Sequence, residues 1–191
     1  MQRLVQTILF LALWLAIGCT PPPPGGPAPA TDAQRAELAL ALRAMSPAVD
    51  ANEARRLADV AFDHPLLLAR AYKITDSPFV HNIKVNRGEK PRGLCYHWAE
   101  DMETRLLQEE FRTLAIRRAI SPVRPANPFE HSTVVATPPG APLSAGIILD
   151  PWRFGGALYW TPVTEDTGHD WRPRNEVLRE KQLRRLALAA R

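Results

Sequence analysis

No CxxC, HxH or HExxH pair occurs in the 191 residues, so the short spacings that build zinc sites are missing. Nor is there an unbroken run of about 20 apolar residues, the length a bilayer-spanning helix needs. The stretch from Leu4 to Ile17 is shorter and is interrupted by Gln6 and Thr7. The net charge of +4 says little, but basic residues form no stripe interleaved with aromatics, which argues against nucleic acid as a partner. Cysteine is scarce: Cys19 and Cys95 are the only two.

What is present begins with an address. Met1-Gln2-Arg3 supplies one positive charge, an apolar stretch follows, and small Gly18 precedes Cys19. A charged start, a short apolar region and a small-residue cleavage site describe a secretory signal. Leu15-Ala16-Ile17-Gly18-Cys19 resembles a bacterial lipobox. The resemblance implies a signal peptide over residues 1–18 and an acylated Cys19, with the lipid bilayer as a partner. Buried acyl chains hold firmly, at about 0.8 kcal/mol per methylene. Thr20 rather than Asp after the cysteine implies, by the same resemblance, the outer membrane facing the periplasm. Removing Arg3 with the signal changes the charge from +4 to 4 − 1 = +3.

Residues 19–31 carry Pro21-Pro22-Pro23-Pro24-Gly25-Gly26-Pro27, which cannot build a core and reads as a semi-rigid polyproline tether. At about 3 Å per residue it holds a domain a few nanometres from the bilayer. Residues 32–191 are then one domain of ordinary size. With Cys19 acylated, Cys95 has no partner in its own chain. A lone thiol in an oxidising envelope calls for either burial or chemistry.

The folded part reads as helices, then strands, then a helix. Asp32 to Met45 is the first helix, closed by Ser46-Pro47. A second starts behind Asp50, with Glu53 as a capping-box partner, and Pro65 ends it or opens the next turn. Leu66 to Ile74 is a further helical candidate. Thr75 to Gly93, with Pro78, Gly88 and Pro91, reads as an irregular lead-in to the strongest helix, Leu94 to Phe111. The period then becomes strand-like over 113–120, 131–137, 146–150 and 157–163. Short connections such as Pro138-Pro139-Gly140 favour antiparallel pairing. A helix over 175–190 closes the chain; its basic residues suit either a solvated face or anionic lipid and wall polymer. The class is α+β, with a central helix packed on an antiparallel sheet of about four strands.

Cys95 lies in the first turn of that central helix, on one stripe with Trp98, Ala99, Met102 and Leu106. A helix start favours a thiolate there. Alternation puts His131 with Thr133 and Val135 on one face, and Asp150 with Ile148 on one face of the next strand. If those strands pair, an imidazole and a carboxylate stand side by side opposite the thiol. That is the arrangement of an activated nucleophile. Zinc held by Cys95, His97 and His131 with Asp150 or His81 is the competing chemistry. It is the weaker one, because residues two apart on a helix do not face the same way.

The order Cys, His, Asp, with spacings 131 − 95 = 36 and 150 − 131 = 19, resembles the transglutaminase-like branch of the papain-type cysteine enzymes. The likeness runs from Gly93 to Val163. It implies Cys95 as nucleophile, His131 as general base, Asp150 as its orienter, and the Cys95 N–H as an oxyanion donor. Trp98, Trp152 and Trp160 are then substrate-binding candidates. No metal or cofactor is implied. Leu94 before the cysteine and Tyr96-His97-Trp98 after it depart from the family pattern, and no Gln stands upstream; Asn82 and Arg92 are the nearby polar residues. Two functions follow as expectations. One is a thiol hydrolase or acyltransferase on amide bonds of envelope peptides or peptidoglycan. The other is a tethered binding or assembly lipoprotein on the same scaffold without catalysis.

Overall fold

The computed structural model describes residues 26–125 and 128–190; the signal and lipobox therefore lie outside the described residues. Helix α1 (Asp32–Ala44) opens on a reciprocal cap, in which Gln34 N–H donates to Thr31 Oγ1 at 3.3 Å and Thr31 N–H to Gln34 Oε1 at 2.9 Å. Helix α2 (Ala51–Ala71) is capped by Asp50, which accepts from Asn52 and Glu53 N–H at 2.9 and 3.0 Å. Glu53 is not a capping-box partner. Its carboxylate accepts from the N–H groups of Arg112 and Thr113 at 2.9 and 2.8 Å, joining the helix start to the chain entering the sheet. Pro65 does not end α2, which runs through it, so the separate helix expected after Leu66 is the second half of the same element.

The stretch 75–93 is not irregular throughout. Helix α3 (Pro78–Asn86) occupies its middle. Pro78 starts this helix rather than breaking one, because a first-turn position has no intrahelical N–H bond to lose. Helix α4 (Cys95–Leu107) follows and stops short of Phe111; Glu110, with φ +52°, turns the chain into the sheet.

Five strands form one antiparallel sheet: β1 (Ala115–Ser121), β2 (His131–Thr137), β3 (Ile147–Phe154), β4 (Ala157–Pro162) and β5 (Arg172–Pro173), in the order β4-β3-β2-β1-β5. The fifth strand exceeds the expectation of four. It is two residues long and pairs Ala119 with Pro173 and Ile120 with Arg172. Helix α5 (Arg174–Ala189) follows it and buries only Val177. Among the described residues no helix is long and apolar enough to cross a membrane.

The main core lies between the helices and one sheet face. Leu38, Leu42, Leu57, Trp98, Met102 and Leu106 meet Val134, Ala136, Ile147 and Leu149 there. Each such side chain contributes roughly 1.5–3 kcal/mol by leaving water. The other face carries a smaller cluster of Ala119, Val135, Leu143, Ile148 and Trp171. β2 is thus covered on both faces and every one of its residues is buried. The class is α+β, with the helical layer on one side of the sheet.

Candidate active site

Gly93 sets the position of Cys95. Its φ of +127° suits glycine, and a Cβ there would come within 2.3 Å of His81 Nε2. Buried His81 donates from Nε2 to the Arg92 carbonyl at 2.8 Å, fixing the residue just before the turn. Trp98 Nε1–H donates to the Gly93 carbonyl at 3.0 Å. His97 reaches back so that Nδ1 accepts from both Gly93 and Leu94 N–H, each at 3.2 Å. This cap requires a neutral ring with Nδ1 bare. Burial, reinforced by the nearby Arg92 charge, pushes the His97 pKa down and favours that form.

Cys95 is the first residue of α4 and is partly exposed. Its Sγ lies 4.0 Å from the Glu130 carbonyl, next to His131 at the start of β2. The thiol therefore meets the imidazole at the end of the strand, not across the sheet from the helix. By register His131 and Asp150 belong to the face that α4 does not cover, with Val135 and Ile148.

His131 Nε2 and Asp150 Oδ2 are 2.6 Å apart, and the two residues are only 5% and 1% exposed. The carboxylate accepts, so Nε2 carries the proton and Nδ1 is left for the thiol. Burial alone would lower the His131 pKa. The Asp150 charge and hydrogen bond, helped by Cys95, overcome it and raise the pKa to about 9. Burial likewise works against ionised Asp150, but His131 and then Arg153 hold its pKa below the usual carboxylate value.

The buried carboxylate is stabilised by more than the imidazole. Asp150 Oδ1 accepts Trp152 N–H at 3.1 Å and Oδ2 accepts Arg153 Nε–H at 2.7 Å. Arg153 also clamps Asp166, with Nη1 to Oδ1 at 3.2 Å and a second contact from Nη2 to Oδ2, and its guanidinium lies 4.3 Å from the Tyr159 ring centre. Asp166 accepts Trp171 Nε1–H at 2.8 Å. Paired charges with filled hydrogen-bond valences make such burial tolerable. Around the His131 ring stand Trp152, His169 and Trp171, at 4.9, 5.4 and 5.5 Å between centres.

The site opens into a cavity of about 750 Å³ lined by Cys95 and His131, by Phe79, Asn82 and Ile83 of α3, and by Phe129, Trp152 and His169 among others. Asn82 Oδ1 accepts Trp152 Nε1–H at 3.2 Å, which leaves the Asn82 NH₂ group as a donor at the cavity wall. Arg92 has no such role, since it pairs with Glu100 and Asp101 at 3.0 and 2.9 Å.

Cys95, His131, Asp150 and Trp152 are therefore brought together. Trp98 and Trp160 are not substrate-facing. Trp98 is 1% exposed in the main core and anchors the turn before Cys95. Trp160 pairs with Leu149 in the register of β3 and β4 and packs toward the helical core, on the face away from Asp150. His169 also lines the cavity. Arg153, Asp166 and Trp171 had no signal in the sequence, because a bulge between Asp150 and Phe154 and the 163–171 connection bring them in. Among the described residues no group of three or more His, Cys, Asp or Glu side chains is arranged to hold a metal ion. His97 and His81 are occupied by backbone groups instead.

No family model matches the chain, and neither does any curated protein or solved structure searched.

Proposed function

We propose that this chain is an envelope lipoprotein, anchored by acylated Cys19 in the outer membrane facing the periplasm, whose transglutaminase-like domain performs thiol-dependent acyl transfer on amide bonds. The observation that carries the reading is the buried His131–Asp150 pair, at 2.6 Å, presented to Cys95, which opens a helix at a cavity.

The chemistry needs only residues already in place. Cys95 gives its proton to His131 Nδ1 before substrate binds, since the raised His131 pKa favours the imidazolium, and the thiolate Sγ then attacks the substrate carbonyl carbon and forms the S–C bond. The oxyanion that develops is met by the Cys95 N–H, which as a first-turn group has no intrahelical acceptor, and by the Asn82 NH₂. His131 then delivers its proton to the leaving nitrogen as the C–N bond breaks, leaving a thioester. Water, or an amine, adds to the thioester with His131 accepting its proton; the C–S bond breaks as the acyl product departs, and the thiolate–imidazolium pair is restored. Asp150 stays ionised throughout and holds the imidazole in the tautomer that faces sulfur.

The test is capture of the intermediate. Incubation with a peptidyl thioester, quenched in acid, should add the acyl mass to the Cys95 peptide in the intact chain and in no His131→Ala sample. An acyl adduct that forms equally without His131 would contradict the assignment. The alternative, a tethered binding factor without catalysis, draws support from the exposed apolar residues at the cavity mouth, Phe79 and Phe129.

A further inference from the structure

We infer that the site selects an acyl group bearing an aromatic or large branched side chain, so its substrate is an apolar polypeptide segment rather than the small, charged stem peptide of the wall. The inference rests on the acyl-transfer reading above and specifies what that site takes.

Three observations converge on it. First, α3 carries large apolar side chains in water: Phe79, Val80 and Ile83 are 47%, 43% and 50% exposed. Clusters of this kind on a folded surface mark binding sites more often than accidents. Two of the three, Phe79 and Ile83, line the cavity that ends at Cys95. Second, the wall opposite the nucleophile is aromatic. Phe79 lies 5.4 Å from the Trp152 ring centre, edge-on, and 5.6 Å from that of Phe129. Asn82 pins the Trp152 ring through its indole N–H, so the platform is held before substrate arrives. Third, the charged groups around the cavity already have partners. Arg153 is committed to Asp150 and Asp166, and Glu130 is paired with Lys181. A polar stem peptide would give up hydration for a wall with few free charges to meet it. A cavity of about 750 Å³ also exceeds any single side chain, which suits a peptide segment with more than one apolar residue.

In the acyl-enzyme the acyl portion is the part held on sulfur, so it is the part that remains against this wall. Removing apolar surface from water at roughly 25 cal/mol per Å² makes a buried ring worth at least a tenfold preference.

The experiment compares alkylation of Cys95 by iodoacetamide and by N-benzyl iodoacetamide, using the full chain in lipid nanodiscs and reading the Cys95 peptide by mass spectrometry. In each case sulfur displaces iodide and an S–C bond forms, so no turnover is needed. The inference expects the benzyl reagent to react on the order of 10-fold faster, with saturation. That ratio should fall to about one in Phe79→Ser with Ile83→Asn. It should survive Val80→Ser, which alters the same helix outside the cavity. A ratio near one in the intact chain, with iodoacetamide alkylation still dependent on His131, overturns the specificity and leaves acyl transfer standing. A ratio that persists in the α3 double variant also overturns it. If iodoacetamide alkylation ignores His131→Ala, the acyl-transfer reading falls, and this inference falls with it.

Discussion

At the scale of single residues the site is an electrostatic chain: thiol, imidazole, carboxylate, guanidinium, carboxylate. His131 sits where burial and a carboxylate oppose each other, and the carboxylate prevails, raising its pKa to about 9. The sign of the consequence is fixed. A histidine whose pKa is higher in the fold than its ordinary value of about 6.5 stabilises the fold fully below that value and loses the contribution as pH rises through about 9. The melting temperature should therefore decline between roughly pH 6.5 and 9, and thermal melts of His131→Gln should show that slope flattened. An unchanged slope in the variant would mean that another group titrates. The sequence made Cys95, His131 and Asp150 visible because each interrupts or borders an apolar pattern. It could not make Arg153 or Asp166 visible, since nothing local distinguishes an arginine after Asp-Pro-Trp from a turn residue.

At the scale of elements, the nucleophile depends on how α4 begins. The helix has no Ser, Thr, Asp or Asn at its cap; Leu94 occupies that position and His97 supplies the acceptor instead. Losing a side-chain cap costs about 1 kcal/mol, so His97→Ala should lower stability by about that much in a denaturant titration. Because its pKa is depressed in the fold, protonation opposes the folded turn, and the contribution present near neutrality is lost as pH falls below the ordinary histidine value. Intact protein should lose stability on acidification below about pH 6.5 more steeply than His97→Ala. Parallel acid curves would remove His97 from the account. β2 was legible as a strand from its β-branched run Thr133-Val134-Val135, although it is buried on both faces and polar residues do not alternate with apolar ones along it. Helix α3 was hidden by its punctuation: Pro78 at its first position and Gly88 and Pro91 after it look like a loop, yet proline at a first turn and glycine past the last are how a short helix is bounded.

At the scale of the whole molecule, the proposed reading hangs the α+β domain from a proline-rich tether that rests on the sequence alone. The compositional signal at Met1 to Cys19 is strong because it needs no tertiary context: charge, apolar stretch, small residue, cysteine. Labelled palmitate should be incorporated by cells making the intact chain and not by cells making Cys19→Ala, with the protein then appearing in the soluble periplasmic fraction. Label retained in the variant would place the acyl chain elsewhere. On the proposed anchor and site, the substrate would be met within reach of the bilayer. Trp152 was marked in the sequence as a substrate-binding candidate, but the cavity and the rest of its aromatic wall were not readable, since they are assembled from α3, the 128–131 stretch and the end of β3, which are far apart in the chain.

The most direct test of the central claim is the alkylation rate of Cys95 by iodoacetamide near neutral pH, in intact protein and in His131→Ala, followed at the Cys95 peptide. If the imidazole activates the thiol, the variant should react slower by on the order of 10-fold or more. Equal rates would contradict the account, making Cys95 an unassisted thiol beside a buried ion pair and leaving a tethered binding protein in its place.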